Sequence, residues 1–236
     1  QALRLYAERF VLPAHEKKKN AVNILGATPL DFSANGQVQS IARRLTEGGF
    51  SVQSVWAMGS ETAAIDRAGE AEVNLVVSSV GLPVAKFLRE RFGMPYVVGA
   101  PLGDTVSALL LGALQKSIHT GENEILPAGT PDAPDTVILG ESVTSRSLAA
   151  ALLLDYGLCA EVICPVELPR ELEGPFCRQI EDEQELQTAL SGARRVIADP
   201  LYRPIVPQGA QFFPLPHEAY SGRIYRKQIP NLVTTW

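Results

Sequence analysis

Short runs of apolar β-formers alternate along this chain with longer stretches whose apolar residues recur at helical spacing. The clearest case is Val73-Asn74-Leu75-Val76-Val77-Ser78-Ser79, then Ala85 to Phe92, then Gly93-Met94-Pro95 leading into Tyr96-Val97-Val98-Gly99. That order reads as strand, polar turn, amphipathic helix and second strand. The same alternation extends on both sides. Gln1 to Phe10 reads as an amphipathic helix, and Ala21 to Gly26 as an apolar strand stopping at Ala27-Thr28-Pro29. Asn35-Gly36 opens a helix over Gln37 to Thr46, with Val38, Ile41, Ala42 and Leu45 on one face and Gly48-Gly49 closing it. Ser51 to Ala57 predicts another strand, Ser60 the N-cap of a helix to about Ala68, and Asp104 to Ile118 a further helix.

Gly121 to Asp135 breaks the pattern. It holds Pro127, Gly129, Pro131 and Pro134 among Thr, Asn and Asp, a composition that marks a linker. It divides the chain into units 1–125 and 126–236. The second unit repeats the plan: strands at Asp135 to Leu139, Glu161 to Cys164, Arg195 to Ala198 and Gln211 to Leu215, with helices from Ser142 and Glu181. Strands alternating with helices imply right-handed crossovers and parallel sheets. The expected fold class is therefore α/β, two tandem Rossmann-like units with parallel sheets flanked by helices.

Composition narrows the function. With 236 residues and 46% hydrophobic content the chain can bury a sizeable core. The net charge of −5 comes without a basic stripe, so nucleic acid is not an expected partner. Asp104 interrupts the most apolar stretch, Tyr96 to Leu114, and no membrane span is expected. Cys159, Cys164 and Cys177 are too few and too odd in number for a disulfide framework, and read as small core residues in a reducing cytoplasm. No secretory leader pattern opens the chain, and the absence of an initiator Met suggests a piece of something longer.

Candidate chemistry lies at the carboxyl ends of the strands, where parallel sheets place ligands. In the first unit these are Thr28 to Asp31, Gly59-Ser60, Ser78-Ser79 and Gly99-Ala100-Pro101. In the second they are Gly140-Glu141-Ser142, Asp199-Pro200 and Pro216-His217. Helices starting at Ser60 and Ser142 would offer free N–H groups to an anion, or the serines would simply cap them. Neither turn has the G-x-G-x-x-G or Walker spacing, and no nucleophile elbow is present. His217 sits at a strand end, where it could be structural, a ligand or a proton donor. His15 lies in a polar segment and His119 near a helix end.

Val22-Asn23-Ile24-Leu25-Gly26, Asn74 to Ser78 and Phe92-Gly93-Met94-Pro95-Tyr96 resemble the middle domain of nitrogenase component 1 type oxidoreductases. Asp199-Pro200 and Pro216-His217-Glu218-Ala219-Tyr220-Ser221-Gly222 resemble the domain that follows it. The family comprises nitrogenases, cofactor-assembly scaffolds and dark-operative tetrapyrrole reductases. The resemblance implies the second and third of three Rossmann-like domains, with the N-terminal cluster-binding domain absent. It implies a homologous paired subunit and an ATP-dependent iron–sulfur reductase as electron donor. It also implies an iron–sulfur cluster or metallocofactor in the intact protein, with none expected to be retained by this piece. Ser78 falls where the catalytic nitrogenase subunit has a cofactor-binding cysteine, and a serine hydroxyl is a poor substitute for a thiolate. The family's cofactor-binding histidine falls at or beside His217.

The reading is an oxidoreductase subunit or metallocofactor scaffold, active when intact and inactive as this piece. Ser78, Ser79, Gly99, Pro101 and His217 would line a cofactor- or substrate-binding cleft between the units. Backbone N–H groups would hold anionic groups, and His217 would ligate metal or donate a proton. Two alternatives stay open: a two-lobed module that closes on a small ligand, and a subunit-assembly surface.

Overall fold

A computed structural model describes residues 2–127 and 134–235. The first unit runs α1 (Ala2–Phe10), β1 (Ala21–Leu25), α2 (Pro29–Phe32), α3 (Gln37–Glu47), β2 (Ser51–Val55), α4 (Thr62–Asp66), β3 (Val73–Val76), α5 (Leu82–Phe92), β4 (Tyr96–Val98), α6 (Gly103–Thr120) and β5 (Glu124–Ile125). The second runs β6 (Thr136–Leu139), α7 (Ser142–Tyr156), β7 (Ala160–Cys164), β8 (Cys177–Gln179), α8 (Glu183–Leu190), β9 (Arg195–Ala198), β10 (Gln211–Pro214) and α9 (Glu218–Ser221). Among the described residues these strands form two five-stranded sheets, ordered β2-β1-β3-β4-β5 and β10-β9-β6-β7-β8. Every pairing within them is parallel. The fold class expected from the sequence is the one observed.

Three elements differ from expectation. The predicted linker carries β5, which extends the first sheet at β4; the rest of that linker falls partly on 128–133, outside the described residues. The strand β8, with sequence Cys-Arg-Gln, has no apolar run to announce it and is held by pairing with β7. Ser60 does not cap α4. Ala57 and Gly59 adopt positive φ, and the turn they make folds Ser60 back so that its hydroxyl accepts from the Val55 N–H at 2.7 Å.

The β1 and β3 strands are buried along their whole length, as a central parallel strand should be. Asn23 and Asn74 stand opposite each other there, and Asn23 Nδ2 donates to Asn74 Oδ1 at 2.9 Å. Asn23 Oδ1 accepts from Ser54 Oγ, which in turn accepts from Trp56 Nε1. A one-residue slip would break this chain of bonds, so it fixes the register of three strands.

The two units share one core. Its side chains include Leu25, Leu75 and Val98 from the first sheet and Ile138, Val162 and Cys164 from the second. Helix α6 packs on α7, the Ala100 N–H donates to Ser147 Oγ at 2.8 Å, and Arg146 reaches the carbonyls of Leu126 and Leu172. Residues 229–235 return from the second unit to the first as a strap over the start of α3. Asn35 Nδ2 donates to the carbonyls of Ile229 and Pro230, the Leu232 N–H donates to Gln37 Oε1, and Val233 is buried.

Candidate functional site at the facing strand ends

In each sheet the strand order reverses once, between β1 and β3 in the first and between β6 and β9 in the second. Such switch points leave a crevice at the carboxyl ends of the strands. Here the segments leaving all four of these strands meet in one seam. The turn after β1 supplies Thr28 and Asp31, and the turn after β3 supplies Ser78 and Ser79. Close approach of these two turns depends on glycine. A Cβ on Gly81 would lie 2.6 Å from the Leu25 carbonyl carbon, and one on Gly26 would lie 2.8 Å from the Ser78 oxygen. Gly26 also needs its φ of +89°.

Asp31 is the centre of the first unit's contribution. Its Oδ2 accepts from Thr28 Oγ1 at 2.8 Å and from Ser78 Oγ at 2.7 Å. Its Oδ1 lies 3.7 Å from His217 Nε2, beyond hydrogen-bond length. Glu141, after β6, is buried and accepts from the N–H groups of Val143, Thr144 and Ser79 at 2.9–3.1 Å. The anion position expected at the start of α7 is thus filled by the chain's own carboxylate. The Ser79 N–H, expected to hold an anionic ligand, is spent on the same group.

Asp199, after β9, holds the last segment. Its Oδ1 accepts from the Leu201 N–H, and its Oδ2 accepts from the His217 N–H at 2.7 Å and from Ser221 Oγ at 2.8 Å. His217 is thereby the N-cap of α9, its Nδ1 accepting from the Ala219 N–H at 3.2 Å. Glu218 accepts from Ser33 Oγ at 2.6 Å across the seam and pairs with Arg226 at 2.9 Å. Tyr220, one helical turn beyond His217, packs against it with the rings tilted by 40° and their centroids 4.9 Å apart. Burial, then the charge of Glu141, pushes the Tyr220 phenol well above its ordinary range. Burial raises Tyr202, edge-on to Tyr220, to about 12.

The expected site residues divide. Ser78, Ser79 and His217 come together in the seam. Gly99 and Pro101 are buried in packing instead: a Cβ on Gly99 would lie 2.5 Å from Leu126 Cδ1, which leaves no room for a ligand on that side. Beside the seam lies an open cleft of about 610 Å³, with Ser79, Val80 and Lys86 on one wall and Val166, Glu167 and Glu171 on the other. Lys86 pairs with Glu171 across it. Cys164 and Cys177 are buried in the core, and the interaction between the two thiols, then burial, raises Cys164 above the ordinary thiol range.

A metallocofactor does not fit this set of donors. The cap makes His217 Nδ1 an acceptor, so the neutral ring carries its proton on Nε2 and presents a donor there, not a lone pair. Ser78 offers a hydroxyl already given to Asp31. Among the described residues no group of three His, Cys, Asp or Glu side chains is placed to hold a metal ion.

Asp31, Glu141 and Tyr220 lie in segments that strand-end topology points to, but their residue types alone do not mark them individually. The signal for Tyr220 was its spacing from His217, which puts both rings on one helical face. Nothing in the sequence alone marked Asp31 and Glu141 as neighbours across the seam.

Two parallel α/β units joined at their facing switch points define a Rossmann-type tandem protein. The model of the family described as nitrogenase component 1 type oxidoreductase matches residues 1–139. The chain belongs to that family. It is 30% identical over 124 residues to a component of the light-independent protochlorophyllide reductase of Synechococcus elongatus, a match covering 50% of this chain and 24% of that protein. To the corresponding component from Prosthecochloris aestuarii it is 34% identical over 97 residues, covering 41% of this chain and 18% of the relative. The matches thus span about a quarter or less of these relatives' length. The solved structure "Nitrogenase Cp1 at pH 5" superposes on 98% of this chain and 58% of its own with a TM-score of 0.60 at 12% identity, a likeness of fold.

Proposed function

We propose that the chain is part of a reductase subunit of the nitrogenase component 1 type, with the seam as the place where substrate meets a hydrogen-bond donor. Electrons would come from an ATP-driven iron–sulfur partner, and a homologous subunit would pair with this one, in the cytoplasm. The observation that carries the reading is the His217 arrangement in a chain of this family. Its Nε2–H is buried and without a hydrogen-bond partner, and it faces a carboxylate 3.7 Å away. A donor so placed can hold and polarise an acceptor atom of a substrate by a hydrogen bond, without giving up its proton. Ser78 orients Asp31, and Asp199 orients His217 through its backbone N–H. The family's metal chemistry, if used, would be supplied by groups outside these residues.

The reading against a hinged two-lobed binder rests on the shared core. Lobes that close on a ligand need an interface that opens, and a large apolar interface resists this.

The test is anaerobic expression of the gene encoding this chain with its neighbouring homologue, followed by iron analysis, EPR of the reduced sample and ATP-dependent reduction assays. Iron with a reducible cluster signal is expected. His217→Ala should then lower the reduction rate by about 10²-fold with iron content unchanged, the loss of one positioned hydrogen-bond donor. Full activity in that variant would remove His217 from the mechanism, and an iron-free complex without ATP-dependent reduction would overturn the reading as a whole.

A further inference from the structure

The open cleft beside the seam has a charge layout of its own. It measures about 610 Å³, within the range of small-molecule sites, and lies beyond the carboxyl ends of β3 and β7. Val80, in the turn after β3, and Val166, in the segment after β7, both line it and are 46% and 39% exposed. Charges of opposite sign flank these valines on the two walls. The first unit supplies Arg4 from α1 and Lys86 from α5, and the second unit supplies Glu167 and Glu171.

These groups keep bonding capacity to spare. Lys86 pairs with Glu171 across the cleft, which leaves ammonium protons and carboxylate lone pairs over. Arg4 engages Glu8 through Nε at 2.8 Å, which leaves its Nη groups. Glu167 is exposed and has no ion-pair or hydrogen-bond partner for its side chain among the described residues. The layout selects a ligand by chemistry. An anion would meet Glu167 and Glu171, and a cation would meet Arg4 and Lys86. A neutral apolar molecule would cover the valines but strip water from the charges around them without replacing it. A zwitterion with an apolar body meets each wall with the opposite charge. The Lys86–Glu171 contact brings a basic and an acidic group of the two walls together at one point, as the adjacent carboxylate and ammonium of an α-amino acid require.

We propose that this cleft is a binding site for a free α-amino acid with a branched apolar side chain. The carboxylate of the ligand faces Arg4 and Lys86, its ammonium faces Glu167 and Glu171, and its side chain covers Val80 and Val166. The site is separate from the seam, and its test involves no electron transfer. L-leucine is titrated into the chain carrying labelled valine methyl groups, and Val80 and Val166 are followed by NMR. 4-Methylpentanoate, which lacks the ammonium, and 3-methylbutylamine, which lacks the carboxylate, serve as half-ligands. Leucine should shift both valines saturably, with each half-ligand about ten-fold weaker or more through the loss of its charged contacts. Glu167→Gln removes a charge that no other side chain depends on. It should weaken leucine by about three-fold and leave 4-methylpentanoate unchanged. No saturable shift, a half-ligand as tight as leucine, or unchanged leucine affinity in Glu167→Gln would each overturn the site. Reduction activity in the intact complex would stand or fall separately.

Discussion

At the scale of single residues, Glu141 does two jobs with one carboxylate. It caps α7 and it holds the turn after β3 through the Ser79 N–H. Glu141→Ala leaves three backbone donors without their partner and should cost about 2–4 kcal/mol in chemical denaturation. A loss under about 0.5 kcal/mol would show that water replaces it freely. Tyr202 and Tyr220 give a pH dependence. Both phenols are raised in the fold above the ordinary 10.0, by burial first. Above that value the unfolded chain ionises them while the folded chain keeps them protonated, so unfolding is favoured. Their stabilisation is intact below about pH 10 and is lost as pH rises through about 12 for Tyr202 and beyond for Tyr220. Tyr220→Phe should move the alkaline unfolding midpoint upward, followed by tyrosinate absorbance alongside circular dichroism.

At the scale of elements, the glycines that let two turns touch matter as much as the side chains those turns carry. Gly81→Ala places a methyl group against the Leu25 and Gly26 backbone. It should cost about 1–3 kcal/mol and disturb Ser78 and Ser79, seen as amide shift changes in the turn after β3. Strands such as β1 and β3 were legible in the sequence because burial on both faces gives a run that is apolar apart from Asn23 and Asn74. The strands β5 and β8 were not, since two or three polar-containing residues carry no period of their own and owe their state to a neighbouring strand. Ser60 failed as a cap for a related reason: its competing acceptor role depends on Ala57 adopting a positive φ, which sequence gives no ground to expect. The seam was half legible. Parallel topology pointed to the strand ends and to His217, but which ends face each other is decided by packing between the units. That is why Gly99 and Pro101 looked equivalent to Ser78 and Ser79 and are not.

At the scale of the molecule, the continuous core predicts one cooperative transition. Leu25 and Val162 belong to the same cluster although they come from different sheets. Thermal unfolding followed by probes in each unit should therefore coincide; two separated transitions would show independently stable units. Exposed Leu5, Leu12, Leu109, Leu154 and Ile224 leave apolar surface available to a partner. Concentration-dependent self-association of the isolated chain is expected in light scattering, and a monodisperse monomer at high concentration would count against it.

The strap over α3 has a consequence during synthesis. Asn35 bonds to carbonyls 194 and 195 positions later in the chain. A ribosome adding about 5–20 residues per second needs about 10–40 s to make that stretch. Through that interval the start of α3 lacks its cover, so nascent chains stalled before residue 229 should expose it to proteases and chaperones that the finished chain excludes.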